Sequence, residues 1–418
     1  MLERKNRIWS KNGLIWIVFV LIIAGSLVVY STYFRRLGHP PEQRIKEIER
    51  MECWIYSSEW EPILKSLQAR YHEVEMNVRT FQSYEALHSE LSAAISAGRA
   101  PQIAELNNAY GLAEWAEDGA LEPIKLPGET TDLTASARNA FTFQGKLWAM
   151  PAGASIPVLY YNQDKLRNAS FQRELEFADL EQLNEEISGW VRGLNHRNAS
   201  IKWKQVMAVD ENLAFVFLNM WGHPAEEERG ERLLELLGAW NRLVFDSGVM
   251  FPLEHRLALS EFMDGQILLL VSSSQHMQWM DKYIAGKFNY GVVPLPGAVD
   301  QGVSPGFSAF AVLAGGGNRE LAQELVNHIT SPYIQDTLLD ATGYMPVRQD
   351  SLDSLARQTA EGTRYNMLLR LVGNDDGIAP MSDDYRRWNR IDETLKALEI
   401  ERRPDLEQKA ADLLPLLP

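Results

Sequence analysis

A single cysteine, Cys53, stands in the 418 residues. One thiol makes neither an internal disulfide nor a cysteine-based zinc site, and within MECWIYSS it reads as a small core hydrophobe. The eight histidines are scattered without HExxH spacing, so nothing supports a metalloenzyme. P-loop, GxSxG elbow and Rossmann glycine fingerprint are all missing; the glycines before Asn318 follow a strand but lack the spacing. Basic residues are the scarcer sign, 41 against 56 acidic for a formal charge of −15, and no Lys/Arg stripe forms a basic face. Nucleic acid is therefore excluded as a partner. Acidic residues are plentiful, but none falls at two opposed strand ends as a glycosidase pair would need. The expectation is a protein without catalytic residues, metal or cofactor.

What is present describes a folded chain. Apolar residues make up 45% and charged residues 23%, and the length suits roughly two domains. One long uncharged run, Gly13 to Phe34, lies between Arg4, Lys5, Arg7 and Lys11 on one side and Arg35 and Arg36 on the other. It is long enough to span a bilayer, which takes about 20 residues. Ala24-Gly25-Ser26 offers a small-residue cleavage site, but Leu27 to Phe34 continue apolar, which favours an uncleaved anchor. Residues 1–12 are then a cytoplasmic terminus, 13–34 a transmembrane helix and 35–49 a polar linker. The body is placed outside the cytoplasm, anchored to the cell membrane.

Beyond the linker, strands and helices alternate. Cys53 to Ser57, Glu75 to Phe81 and RAPQIAEL read as strands, with helices near Glu61 to Tyr71, Ala86 to Ala97 and Asn107 to Gly119. Such alternation implies an α/β fold around mostly parallel sheets, with ligands beyond the carboxyl ends of the strands. Asn107 and Asn108 fall at such an end, as N-caps or as ligand contacts. Ser272-Ser273-Ser274 close the apolar run QILLLV before a helix and offer hydroxyls and free N–H groups. Phe177 to Phe245 reads as one long helical region. Within it Trp221, beside Gly222, is the candidate for an exposed stacking face. The stretch FTFQGKLWAMPAGASIPVLYYN, Phe141 to Asn162, joins two β-rich runs through small residues and reads as a crossing between lobes with a binding site at the crossing.

Several motifs fall together in one order: ISAGRAPQI, DGALEPI, FTFQGKLWAMP with PVLYYNQDKL, FMDGQ, YGVVPLPG, and GFSAF with ATGYMPVR. From about Met51 onward the chain resembles the family 1 extracellular solute-binding proteins of ABC importers. In detail it is closest to the sn-glycerol-3-phosphate-binding branch. That resemblance implies a two-lobed, type II periplasmic-binding-protein-like fold. Lobe 1 would comprise residues 50–153 plus 307–340, and lobe 2 residues 154–306 plus 341–418. It also implies a monomer that captures a sugar or a polyol phosphate and hands it to importer permeases. Carried over position by position, the ligand contacts fall on Tyr84, Ser155, Ser273 or Ser274, Gly306 and Tyr344. Asn108 stands where the branch has a cleft glutamate, and the phosphate-pairing arginine aligns within a residue of Arg387 and Trp388. Those two departures favour a neutral saccharide stacked on aromatics. The alternative function is a membrane-tethered ligand sensor for a signalling partner.

Overall fold

In a computed structural model, the described residues are Ala24 and 49–417, apart from 110, 127–131, 169–174, 198–204, 223, 253–256, 298–303, 361–362, 373–379 and 382–383. The chain divides into two units, residues 1–49 and 50–418. Nearly all of the first, including the expected anchor at 13–34 save Ala24, lies outside the described residues. Among the described residues no helix is long and apolar enough to cross a membrane.

Two sheets organise the second unit. The first sheet runs β2 (Val74–Thr80), β1 (Glu49–Ile55), β3 (Ile103–Asn107), β12 (Gly306–Leu313), β4 (Leu121–Glu122), with β7 (Met150–Ser155) also paired to β12. β1 and β3 are parallel, placing Cys53 opposite Ile103. β12 is antiparallel to β3, β4 and β7, so the sheet is mixed where alternation alone predicts mostly parallel strands. The physical reason is the return of the chain: β12 enters from the second lobe, at the far end of its neighbours. Its sequence GFSAFAVL is buried from Phe307 to Leu313, as a strand covered on both faces must be.

The second sheet runs β11 (Tyr290–Pro294), β8 (Pro157–Asn162), β10 (Leu269–Ser273), β9 (Met207–Asp210). β8 is antiparallel to both neighbours, and β9 and β10 are parallel. Phe177 to Phe245 is therefore not one helical region. Helices at Leu180–Arg197, Leu213–Trp221 and Arg229–Phe245 are interrupted by β9. Four residues of MAVD are too few for a period to show, but the Asn212 side chain after them caps the next helix through the Phe215 N–H. Helices Asp384–Ile400 and Leu406–Leu413 pack back onto this lobe. Trp221 is fully buried there, so it offers no exposed face. A tryptophan near a helix end still points inward when the helix is apolar all round, as LAFVFLNMW is.

β7 and β8 are separated by one residue, Ile156, so the chain passes from one sheet to the other within the stretch Met150–Asn162. Ser274 clamps that crossing. Its N–H donates to the Ile156 carbonyl at 2.8 Å and its hydroxyl accepts from the Ile156 N–H at 3.0 Å. Residues 343–348 stay with the first lobe. Ala154 and Met345 exchange backbone hydrogen bonds at 2.9 and 2.8 Å, and Leu133 bridges Arg348.

Candidate functional site

β7 and β12 end side by side at the boundary of the lobes, with Ser155 opposite Gly306. A methyl group at Gly306 would lie 2.9 Å from the Phe215 ring and 3.3 Å from Ser155 Oγ, so glycine lets the second lobe's aromatic approach β12. A cavity of about 90 Å³ opens here. The first lobe contributes Tyr56, Glu85, Asn107, Asn108, Ser155 and Tyr344; the second contributes Glu211, Asn212, Phe215 and Trp388.

Five of the residues read from sequence meet in this cavity: Asn107, Asn108, Ser155, Gly306 and Tyr344. The Asn108 side chain accepts from Phe307 N–H at 2.8 Å and donates to the Pro305 carbonyl at 3.2 Å, which fixes its amide beside the opening of β12. Tyr344 is nearly buried, stacked on Trp60 at 5.3 Å, with its hydroxyl 2.9 Å from Ser57 Oγ. Tyr84 lies just behind the wall, edge-on to Tyr56 at 5.2 Å. Burial raises the Tyr84 and Tyr344 hydroxyls well above the ordinary tyrosine range, so both are neutral hydrogen-bonding groups.

Ser273, Ser274 and Arg387 do not reach the cavity. The Ser273 hydroxyl accepts from Gln275 N–H at 3.2 Å, and its carbonyl accepts from the Tyr160 hydroxyl at 2.8 Å. Ser274 is bonded to Ile156, so both serines fasten the crossing. Arg387 is buried against the C-terminal segment. It donates to Asp384 at 2.9 Å and twice to the Leu416 carbonyl, at 3.0 and 2.7 Å. Its neighbour Trp388 takes the cavity position, as a one-residue step around a helix turns the side chain by about 100°. Arg387→Lys is accordingly expected to lower the unfolding free energy by roughly 1–2 kcal/mol through loss of the forked contacts, with ligand affinity changed less than about threefold. Urea unfolding and titration calorimetry on the same preparation check this.

The groups that the sequence reading missed are instructive. Glu211 and Asn212 follow the unrecognised strand β9, and Glu85 and Tyr56 carried no pattern of their own. Behind the cavity, Glu105 is fully buried on β3 and gathers four donors. Tyr56 N–H at 2.9 Å and Ser57 N–H at 3.0 Å meet Oε2, while Trp60 Nε1 at 2.9 Å and Ser308 Oγ at 2.7 Å meet Oε1. Burial nevertheless outweighs these donors and pushes its pKa up from 4.5 to about 7. One carboxyl thus fixes the loop bearing Tyr56 to the strand bearing Gly306.

One helical turn from Glu85 and Trp388, the lobes touch again. His88 is sandwiched between Trp115 and Tyr385, each ring 4.7 Å away, and the Tyr385 N–H donates to Glu114 at 3.2 Å. Burial lowers the His88 pKa from 6.5 to about 4, so this contact is between neutral rings at pH 7. Among the described residues no group of three or more His, Cys, Asp or Glu could hold a metal. A larger cavity of about 890 Å³ lies within the second lobe, where Arg364 is held over Tyr290 at 4.2 Å. The described residues around it belong to that lobe.

The sequence profile of the bacterial extracellular solute-binding proteins matches residues 63–364. The chain belongs to that family. Solved structures give the solute-binding protein the same architecture at low sequence identity. An ABC transporter solute-binding protein from Thermotoga lettingae, bound with α-D-tagatose, has a TM-score of 0.73 at 14% identity, over 88% of this chain and 100% of that one. The GacH receptor of Streptomyces glaucescens, studied unliganded and with acarbose, has a TM-score of 0.72 at 14% identity, over 88% and 98%. UgpB from Mycobacterium tuberculosis, in complex with glycerophosphocholine, has a TM-score of 0.69 at 16% identity, over 88% and 97%. No curated protein sequence matches. These likenesses support the two-lobed α/β fold of the solute-binding protein.

Proposed function

We propose that this solute-binding protein captures a saccharide or related polyol between its lobes, on the extracytoplasmic side of the membrane, and delivers it to an ABC importer. The observation that carries this reading is the cavity at the lobe boundary, where amides, a hydroxyl and aromatic rings converge from both lobes. Amide and hydroxyl groups match sugar hydroxyls, and aromatic faces match the apolar faces of a pyranose. The structural neighbours bound with tagatose, acarbose and glycerophosphocholine lend support to a polyhydroxylated ligand. An uncleaved segment at 13–34 would keep the protein beside its permeases.

The mechanism draws on the crossings between the lobes, Ser155–Ile156 and Pro305–Gly306 among them. Ligand held by groups of both lobes favours the arrangement in which those groups converge, and release to a permease follows when the lobes part. No bond is made or broken. Ser155→Ala and Tyr344→Phe each remove one hydroxyl while keeping the surrounding packing, and each is expected to weaken binding roughly 3–10-fold with little change in the thermal midpoint. Calorimetric titration against a panel of mono- and disaccharides checks this, and unchanged affinity in both variants would remove the cavity from the account. Tyr344→Ala is a poorer probe, because it also deletes a ring packed on Trp60.

A further inference from the structure

Two helices that wall the cavity also meet outside it. Helix Tyr84–Ser96 of the first lobe places Glu85 at the cavity and His88 three residues on. Helix Asp384–Ile400 of the second lobe places Trp388 at the cavity and Tyr385 three residues before it. Residues three apart share a helix face, so His88 and Tyr385 meet about one turn beyond the cavity wall. Their ring centroids are 4.7 Å apart with planes inclined by 12°, a stack that joins the lobes. Trp115 closes the other face of His88, at 4.7 Å and 26°. None of these three rings is among the described residues around the cavity.

A hydrogen bond crosses between the lobes at the same point. Tyr385 lies in the first turn of its helix, where a backbone N–H has no carbonyl one turn back to receive it. It donates instead to Glu114 Oε1 of the first lobe, at 3.2 Å. The start of that helix is held in place, with Asp384 N–H on the Met381 carbonyl at 3.1 Å and Arg387 on the Asp384 carboxyl at 2.9 Å. Stacked rings contribute more than their buried area alone, and nothing in this contact needs a solute. It therefore favours converged lobes whether the cavity is empty or filled. Apparent affinity scales with the fraction of protein already in the competent arrangement, so such a contact acts on all solutes equally. A group that touches the solute acts on each one differently.

We propose that His88 and Tyr385 are positioning residues, an interlobe latch that sets how much of the protein is closed. Through that fraction the latch tunes affinity for every solute alike, an effect that rests on the reading in which solute is captured between the lobes.

Cys53 is buried, so spin labels at Ala93→Cys and Glu393→Cys, exposed positions on the two helices, report the spacing of the lobes. In the full-length protein without solute, double electron–electron resonance should show longer label distances for Tyr385→Ala. Tyr385→Phe keeps the ring and should match wild type. In calorimetry with the saccharides that bind, Tyr385→Ala should weaken all of them by one common factor, roughly 3–10-fold, without changing their ranking. Tyr385 is 45% exposed, so the thermal midpoint should stay close to that of wild type. Distances unmoved by Tyr385→Ala, or affinity losses that differ from solute to solute, overturn the latch and leave capture between the lobes standing. Distances that lengthen while no saccharide binds keep the latch and remove the saccharide reading.

Discussion

Replacing Glu105 with alanine is expected to lower the unfolding free energy by about 3–5 kcal/mol, because it strands four buried donors at once. The backbone N–H groups of Tyr56 and Ser57, the Trp60 indole and the Ser308 hydroxyl all end on this carboxyl. Loss of ligand affinity should accompany the loss of stability, since the same bonds hold Tyr56 and β12 in place. Glu105→Gln keeps the volume and separates charge from shape. The sign of the pH effect is fixed by the direction of the shift. With a folded pKa raised from 4.5 to about 7, the folded state holds a proton that the unfolded state has released. The group's contribution is therefore complete below about pH 4.5 and is lost as pH rises through 7. Between pH 5 and 6.5 the stability difference between wild type and Glu105→Gln should shrink by about 1.4 kcal/mol per pH unit.

Asp384, raised from 3.8 to about 7, acts in the same direction, while His88 and His276, lowered from 6.5 to about 4, act oppositely. Their stabilising contribution is complete above pH 6.5 and is lost as pH falls toward 4. The two directions oppose each other in wild type across the same window, with His328, also lowered by burial, on the side of the histidines. Glu105→Gln should expose the histidine slope, with stability rising as pH rises. Urea unfolding at four pH values measures this, and a difference that stays flat would mean that Glu105 is ionised throughout.

Gly343→Ala should be the second large effect, roughly 2–4 kcal/mol from backbone strain and overpacking together. Gly343 sits at φ +78°, and a methyl group there would lie 2.4 Å from the Gln275 carbonyl oxygen. That oxygen belongs to backbone just past the Ser274 clamp, so it yields only by moving the crossing. Tyr344 follows directly, and Met345 pairs with Ala154 of β7. Displacing the turn should therefore reduce ligand affinity together with the thermal midpoint. A control is Gly98→Ala, also at positive φ (+65°) but with nothing within 4 Å. It carries the strain without the clash, so a Gly343→Ala effect no larger than the control would refute the close approach.

Legibility from sequence varied with the range of the interactions. Local signals served well. The Asn162 end of the hinge stretch, the helix near Ala86 to Ala97 and the buried run of β12 all follow from patterns within a dozen residues. Gly306 and Tyr344 came from motifs whose spacing a family resemblance supplied, and the fold brings them together with Ser155. What lies beyond local patterns is long-range. Ser273 and Ser274 have the residue types of an anion site, but only the pairing of β8 with β10 shows that their hydrogen bonds close on Ile156 and Tyr160. Arg387 and Trp388 differ by one step on a helix, and that step decides which faces the cavity. Glu105 looked like an ordinary charge interrupting QIAEL. Its four donors come from segments 45 to 203 positions away, beyond any local pattern.

The proposed site holds a saccharide between the lobes at Ser155. Calorimetric titration of the full-length protein and of Ser155→Phe, with whichever member of the saccharide panel binds wild type best, tests it directly. A benzyl group at this position fills a cavity of only about 90 Å³. One-to-one binding is expected for wild type and none for the variant, with both proteins folded by circular dichroism. Binding that persists undiminished in Ser155→Phe would rule out the site at Ser155 and place the solute elsewhere, the larger cavity beside Tyr290 and Arg364 being the first place to look.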